Sequence, residues 1–237
     1  MLLVRSLLVL VALITVPYGP VGGGSETPDA ELDDMIHSAR ETLIQRNQAL
    51  EGKIRIGDRA IRFRYSMAYP YVEFVLTEPT NRYRVRVGGK ASVEEYRESH
   101  WISNTALGVG AEIPGTTLSF EDIAFRFLFW PHAERAGRLI FRTKSCVVVR
   151  FTPPFGESTY GRADVWFDEG AGAPIRAVCY GADGEEVKSF DVIKVQKIAG
   201  KWTVQMIRVM DLRRNMENHR QPTYIEFNPA ATLGQGH

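Results

Sequence analysis

Two cysteines in 237 residues exclude both a disulfide-stapled scaffold and a multi-cysteine zinc site. A charge excess of one sign is missing too, with 29 Lys plus Arg against 28 Asp plus Glu. The chain therefore lacks the basic excess of a nucleic-acid binder, and no nucleic-acid partner is expected. At 44% hydrophobic residues it is not a disordered chain either. His37, His100, His132, His219 and His237 stand at no metal-ligand spacing, and neither HExxH nor CxxC occurs. A GxSxG elbow, a GxxxxGK[ST] loop and a dinucleotide fingerprint are all absent. The reading therefore assigns no catalytic residue, no metal and no cofactor. Glu121 and Asp122 read as helix-capping acids, Asp164 and Asp168 as solvent-facing strand residues, and His132 with Glu134 as part of an exposed loop.

The one uninterrupted apolar run is at the start, Leu7 to Val16 after Arg5, followed by Pro17 and Gly22 to Gly24. It falls short of the ~20 residues that span a bilayer and reads as a signal peptide over residues 1–24, so export is expected. No cysteine follows the run, so N-terminal acylation is not expected. Without this segment the basic and acidic groups balance, and bulk charge names no partner. A single domain is expected over 25–227, with 228–237 as a flexible tail. Export makes a bond between Cys146 and Cys179 conceivable. Both lie in apparent strands with one more strand between them. A simple meander sets them about 9.5 Å apart, against the roughly 7 Å that a disulfide spans. Bond and buried thiols both stay open.

What is present is periodicity. Thr27-Pro28-Asp29 starts a helix, and Leu32, Met35, Ile36, Ala39, Leu43 and Ile44 repeat at helical spacing to about Ala49. From Lys53 the period becomes two: Ile54 and Ile56, then Ile61, Phe63, Tyr65 and Met67, then Val72, Phe74 and Leu76, then Tyr83, Val85 and Val87. Short connections between these segments describe an antiparallel meander. Residues 88–115 read as a long irregular connection. Ser119 then caps a second helix, with Asp122 in the capping-box position, running through Leu128 and stopped near Trp130-Pro131. Strand patterns resume at 138–151, 162–167, 175–180, 187–197, 201–211 and 223–227, with turns at Asp183-Gly184 and Ala199-Gly200. About ten antiparallel strands and two helices make an α+β protein.

Two faces of the first strands differ. Arg55, Arg62, Arg64, Arg82, Arg84 and Arg86 take polar-face positions, which reads either as a solvated face or as a basic surface by which a cell-envelope interaction module docks a partner. On the other face lie Phe63, Tyr65, Met67, Phe74, Leu76, Tyr83 and Val85, to be covered by Phe120, Ile123 and Phe127 of the second helix. Such an apolar sheet with a helical lid either closes as a dry core or leaves room for an acyl chain, each buried methylene contributing about 0.8 kcal/mol.

Leu118-Ser119-Phe120-Glu121-Asp122, continuing through Phe125-Arg126-Phe127-Leu128-Phe129-Trp130-Pro131, resembles the helix motif of outer membrane lipoprotein-sorting proteins of the LolA-like superfamily. Pro174-Ile175-Arg176, Asp183-Gly184 and Val187-Lys188-Ser189-Phe190 resemble the hairpin that follows in that group. The resemblance implies an incomplete, open β-barrel with helices covering its concave face. It also implies a monomeric periplasmic carrier, without cofactor or bond chemistry, whose cargo is an acylated lipoprotein or lipid. An inner-membrane transporter and an outer-membrane acceptor are its implied partners. The Arg-Pro and Phe-Arg-Trp pattern of the best-understood LolA carriers is absent, Tyr69-Pro70-Tyr71 being the nearest approximation.

Overall fold

The computed structural model describes residues 28–44, 49–77, 79–103, 107–198, 201–213 and 221–229. The expected signal peptide, the Thr27 cap, the Ala199-Gly200 turn and the tail beyond Pro229 lie outside the described residues. Helix α1, Pro28–Ile44, is followed by β1 (Leu50–Ile56), β2 (Arg59–Ala68), β3 (Tyr71–Thr77), β4 (Thr80–Arg86), β5 (Val93–Arg97) and β6 (His100–Ser103). Next come a one-turn helix α2 (Phe120–Ile123) and a 3-10 turn, Arg126–Phe129. The chain closes with β7 (His132–Phe141), β8 (Lys144–Thr152), β9 (Arg162–Asp168), β10 (Ala173–Tyr180), β11 (Glu186–Ile198), β12 (Lys201–Asp211) and β13 (Thr223–Pro229).

All thirteen strands belong to one antiparallel sheet in the order β6-β5-β4-β3-β2-β1-β13-β12-β11-β10-β9-β8-β7. This is three strands more than the periodicity predicts. β5 and β6 fall inside the segment read as irregular, and the single segment 138–151 is in fact the hairpin β7–β8. Its turn, Arg142-Thr143, has φ of 47° and 69° and contains no Gly or Asn to announce it. His132 accordingly opens a strand instead of standing in a loop.

The topology is two meanders joined by the last strand. β13 pairs with β1 from Leu50↔Pro229 to Ile56↔Thr223 and with β12 from Met206↔Glu226 to Val209↔Thr223. Inward residues of both meanders form one core, in which Val72, Val85, Val149, Phe151, Val165, Phe167 and Ile225 are sealed from solvent. Gly52 serves that core by having no side chain: a Cβ there would lie 2.5 Å from the Phe63 ring, which crosses it to meet Phe227 edge-on at 5.8 Å.

The second helix is shorter than predicted. The Ser119 capping box forms as expected, Asp122 N donating to Ser119 Oγ at 3.2 Å and Ser119 N to Asp122 Oδ2 at 2.8 Å. The helix ends after one turn because Phe125 adopts the left-handed conformation (φ 46°, ψ 40°), after which the chain restarts as the 3-10 turn. α1 buries Leu32, Ile36 and Ala39 and touches β2, β10 and the 3-10 turn.

Candidate functional site

The break at Phe125 divides the interior. Before it, Phe120 fills the first meander, its ring 5.7 Å from Phe74 and 5.1 Å from Tyr83, which stack on each other at 5.3 Å. After it, Phe125, Phe127 and Leu128 roof a partly open cavity of about 80 Å³ over the junction of the two meanders. Its walls are Leu50 and Tyr65 from β1 and β2, Phe227 from β13 and Val204 and Ile207 from β12. Phe190 and Val192 of β11, Pro174, Arg176 and Ala177 of β10 and Val165 of β9 complete them. Phe190 meets Phe127 at 5.5 Å and Phe125 at 6.3 Å, closing one end with aromatic edges. A space so lined attracts hydrocarbon and offers almost nothing to a polar ligand.

The roof is held by buried polar groups. Arg40 on α1 donates from Nε to Leu128 O at 2.6 Å and from Nη2 to Trp130 O at 3.0 Å, tying the helix to the C-terminal end of the 3-10 turn. Arg126, buried, donates to the carbonyls of Arg86 at 3.2 Å, Gly89 at 3.1 Å and Glu157 at 2.5 Å. The buried Asp122 carboxylate accepts Lys188 Nζ at 2.6 Å and Tyr160 OH at 2.7 Å in addition to its cap. Burial and then the Asp122 charge push the Tyr160 phenol well up, so that it stays a neutral donor. Asp122 and Lys188 belong to the two stretches that carry the LolA-like resemblance, and the ion pair is where those stretches meet. Neighbouring Glu121 accepts from Ser158 Oγ at 2.7 Å and Thr159 N at 3.1 Å. Burial nevertheless outweighs these bonds and raises its pKa.

Of the ten residues expected to line a hydrophobic site, Tyr65 and Phe127 face the cavity. Phe63, Met67, Phe74, Leu76, Tyr83, Val85, Phe120 and Ile123 are buried in the surrounding core. Sequence reasoning names Phe190 only within the LolA-like hairpin motif, not as a lining residue, and does not single out Ile207 and Phe227. Their alternation was visible, but only the placement of β13 beside β1 and β12 brings them to Tyr65.

Asp164 and Asp168, read as solvent-facing, are buried because cations lie over them. Arg150 meets both Asp164 oxygens at 2.9 and 3.2 Å, and Lys144 caps Asp168, whose pKa the Lys144 hydrogen bond lowers. Cys146 and Cys179 are free and buried on strands separated by β9. Burial raises both thiol pKa values, that of Cys179 strongly.

The arginine face is largely neutralised. Arg55 meets Glu226 at 3.1 Å, Arg82 meets Glu73 at 2.6 Å, Arg84 meets Glu94 at 2.7 Å and Arg64 lies 3.8 Å from Glu51. Aromatics also sit on this face, contrary to the expectation that they keep to the other. Arg84 lies between the rings of Tyr71 (4.5 Å) and Trp101 (4.6 Å), and Arg82 between those of Tyr96 and Trp101.

A family model described as "Uncharacterized protein" matches residues 108–231, just over half of the chain. The chain belongs to that family. None of the curated proteins matches it in sequence. Solved structures show that its fold is LolA-like. A LolA superfamily protein from Nitrosomonas europaea superposes with a TM-score of 0.64 at 15% identity, over 83% of this chain and 90% of that one. A domain described as outer membrane lipoprotein-sorting, from Vibrio parahaemolyticus, gives 0.62 at 12%, over 84% and 93%. A DUF1329 family protein from Desulfovibrio piger gives 0.63 at 19%, over 86% and 92%.

Proposed function

We propose that this protein binds and carries lipid-like hydrophobic groups in the periplasm, without bond chemistry, as part of outer membrane lipoprotein sorting. The observation that carries the reading is the apolar cavity under Phe125, Phe127 and Leu128, in a chain whose fold is LolA-like. The cargo is an acylated lipoprotein or lipid, passed on by the monomer from an inner-membrane transporter to an outer-membrane acceptor. At about 80 Å³ the cavity is smaller than the ~150 Å³ that admits a benzene ring, so the closed form receives only the end of an acyl chain. Admission of the rest requires the 3-10 turn to move. Phe125 gives it a pivot, since a non-glycine residue in the left-handed region holds about 1–2 kcal/mol of strain that a changed conformation releases. The second reading, a partner docked on the arginine face, is weakened by the acids that already occupy Arg55, Arg82 and Arg84.

Binding of a fluorescent fatty acid tests the proposal. The wild-type chain takes the probe with saturable affinity, and Ala177→Phe, which fills the cavity from its β10 wall, abolishes uptake. Met67→Leu, a volume-conserving change in the surrounding core, leaves uptake intact. A protein that takes no probe, or an Ala177→Phe variant that binds as well as wild type while folded, overturns it.

A further inference from the structure

Nine large hydrophobic side chains among the described residues are exposed, and five of them lie on two hairpins. Leu139 (41% exposed) and Ile140 (76%) are on the β7–β8 hairpin, and Ile193 (37%), Val195 (54%) and Trp202 (64%) on β11–β12. The two hairpins touch. Arg142, in the β7–β8 turn, donates to Val192 O at 3.4 Å and stands 3.8 Å from Asp191, while Phe141 packs on Arg176 at 5.2 Å. The five side chains are therefore gathered at one end of the molecule.

That end adjoins the cavity. The β11–β12 register pairs Val192 with Ile207, Val195 with Val204 and Lys197 with Trp202, with one residue on each strand, Ile193 and Gln205, left out at the bulges. Directly opposed residues share a face. Val192, Ile207 and Val204 line the cavity, so Val195 and Trp202 continue its wall outward into solvent. β12 also parts from β13 beyond Met206↔Glu226, which leaves the cavity flanked by a split in the sheet.

Cations outnumber acids around this end. Residues 138–144 contain Arg138, Arg142 and Lys144 and no acid, and residues 192–198 contain Lys194 and Lys197 and no acid. Glu169 and Asp168 answer Arg138 and Lys144. Arg142, Arg176 and Arg208 share the single carboxylate of Asp191, at 3.8, 3.1 and 3.0 Å. Lys194 and Lys197 are exposed, and among the described residues neither has an ion-pair partner; Lys197 lies over the Trp202 ring at 5.0 Å. Exposed aliphatics, a tryptophan and unpaired lysines together match the boundary between anionic headgroups and acyl chains.

We infer that the β7–β8 and β11–β12 hairpins form a docking face for an anionic phospholipid bilayer, seating the cavity mouth against the membrane. The inference rests on the proposed acyl cavity only for its purpose, because the face is defined by residues outside that cavity. In this arrangement an acyl chain passes between bilayer and protein along Trp202, Val195 and Val204 without crossing water.

Quenching of tryptophan fluorescence by vesicles with brominated acyl chains tests it, with the full chain and its variants. Vesicles of phosphatidylcholine and phosphatidylglycerol are expected to quench the wild type, and Trp202→Phe to remove most of that quenching, since Trp202 is the exposed tryptophan of this end. Lys194→Gln with Lys197→Gln is expected to raise the lipid concentration for half-quenching roughly thirtyfold, at ~1 kcal/mol per cation near the surface. Replacing Tyr69 and Phe155, exposed outside the two hairpins, by Ser leaves quenching unchanged. Quenching that persists in Trp202→Phe, equal quenching by pure phosphatidylcholine, or none with either vesicle overturns the inference; the last leaves the exposed patch to a protein partner. Fatty-acid probe binding on the same variants separates the two readings. Docking variants that still take the probe leave the cavity standing, whereas a wild-type chain that docks but takes no probe removes the cavity and leaves the docking face.

Discussion

Cys146 and Cys179 show how a residue's surroundings set its chemistry. Both thiols are buried with raised pKa values, so the nucleophilic thiolate is scarce and inaccessible. The native protein should resist alkylation near neutral pH and yield two reactive thiols in denaturant without reductant; mass spectrometry of the alkylated chain reads both. No gain on denaturation would mean a disulfide. Glu121 gives a second prediction. A carboxyl whose folded pKa is raised binds more protons in the native than in the unfolded state, so it costs stability as pH rises from the unfolded value of about 4.3 up through the folded one. Glu121→Gln should lessen the fall in melting temperature across that window and leave the protein at least as stable at neutral pH. The Ser158 and Thr159 donors still find an acceptor in the amide. A variant less stable than wild type throughout would show the charge to be needed. At this scale the sequence was legible wherever a side chain answers to its neighbours in the chain: the Ser119–Asp122 box spans four residues and is predicted whole. The Asp122–Lys188 pair, 66 residues apart, depends on tertiary pairing that no local pattern encodes.

Among elements, alternation identified the strands with one wet face, β2, β3 and β4, to within a residue or two, because a period of two is imposed by the pleat itself. It passed over β5, which is short and charged, and β6, which is only four residues long, and it ran the second helix through Phe125 because composition gives no sign of a left-handed phenylalanine. The ion pair beneath that helix is the element's anchor. Lys188→Met should cost about 3–5 kcal/mol by leaving the buried Asp122 carboxylate without its cation. Adding Asp122→Asn to that variant should recover part of the loss. Chemical denaturation of the two single variants and the double one measures the coupling, and strict additivity would refute it. The roof has a separate latch. Arg40→Gln removes a charged donor from the carbonyls of Leu128 and Trp130, and hydrogen exchange over 125–130 should accelerate while exchange in β3 and β9 stays at the wild-type rate.

For the whole molecule the decisive strand is β13, which alone joins the meander β1–β6 to the meander β7–β12 within the sheet. The strand pattern at 223–227 was plain in sequence, but its place in the middle of the sheet was not, since a chain's last strand could have taken either edge. That place also makes the cavity, because Phe227 of β13 stands between Tyr65 from one meander and Ile207 from the other. The row Ile54–Ile225–Ile207 crosses the junction with Ile225 sealed from solvent. Ile225→Val should cost about 1 kcal/mol by removing one methylene. Ile225→Asp puts a carboxyl into the same place, where ionisation costs several kcal/mol against a total stability of roughly 5–15 kcal/mol. Its folding should therefore weaken as pH rises above the ordinary carboxylate range. If β13 couples the halves, hydrogen exchange in β2–β4 and in β8–β10 will accelerate together in Ile225→Asp, because neither meander keeps its inner edge strand paired. Retained protection in one meander while the other exchanges freely would show two independently stable units, and the cavity between them would then be a contact of separate bodies instead of a feature of one core.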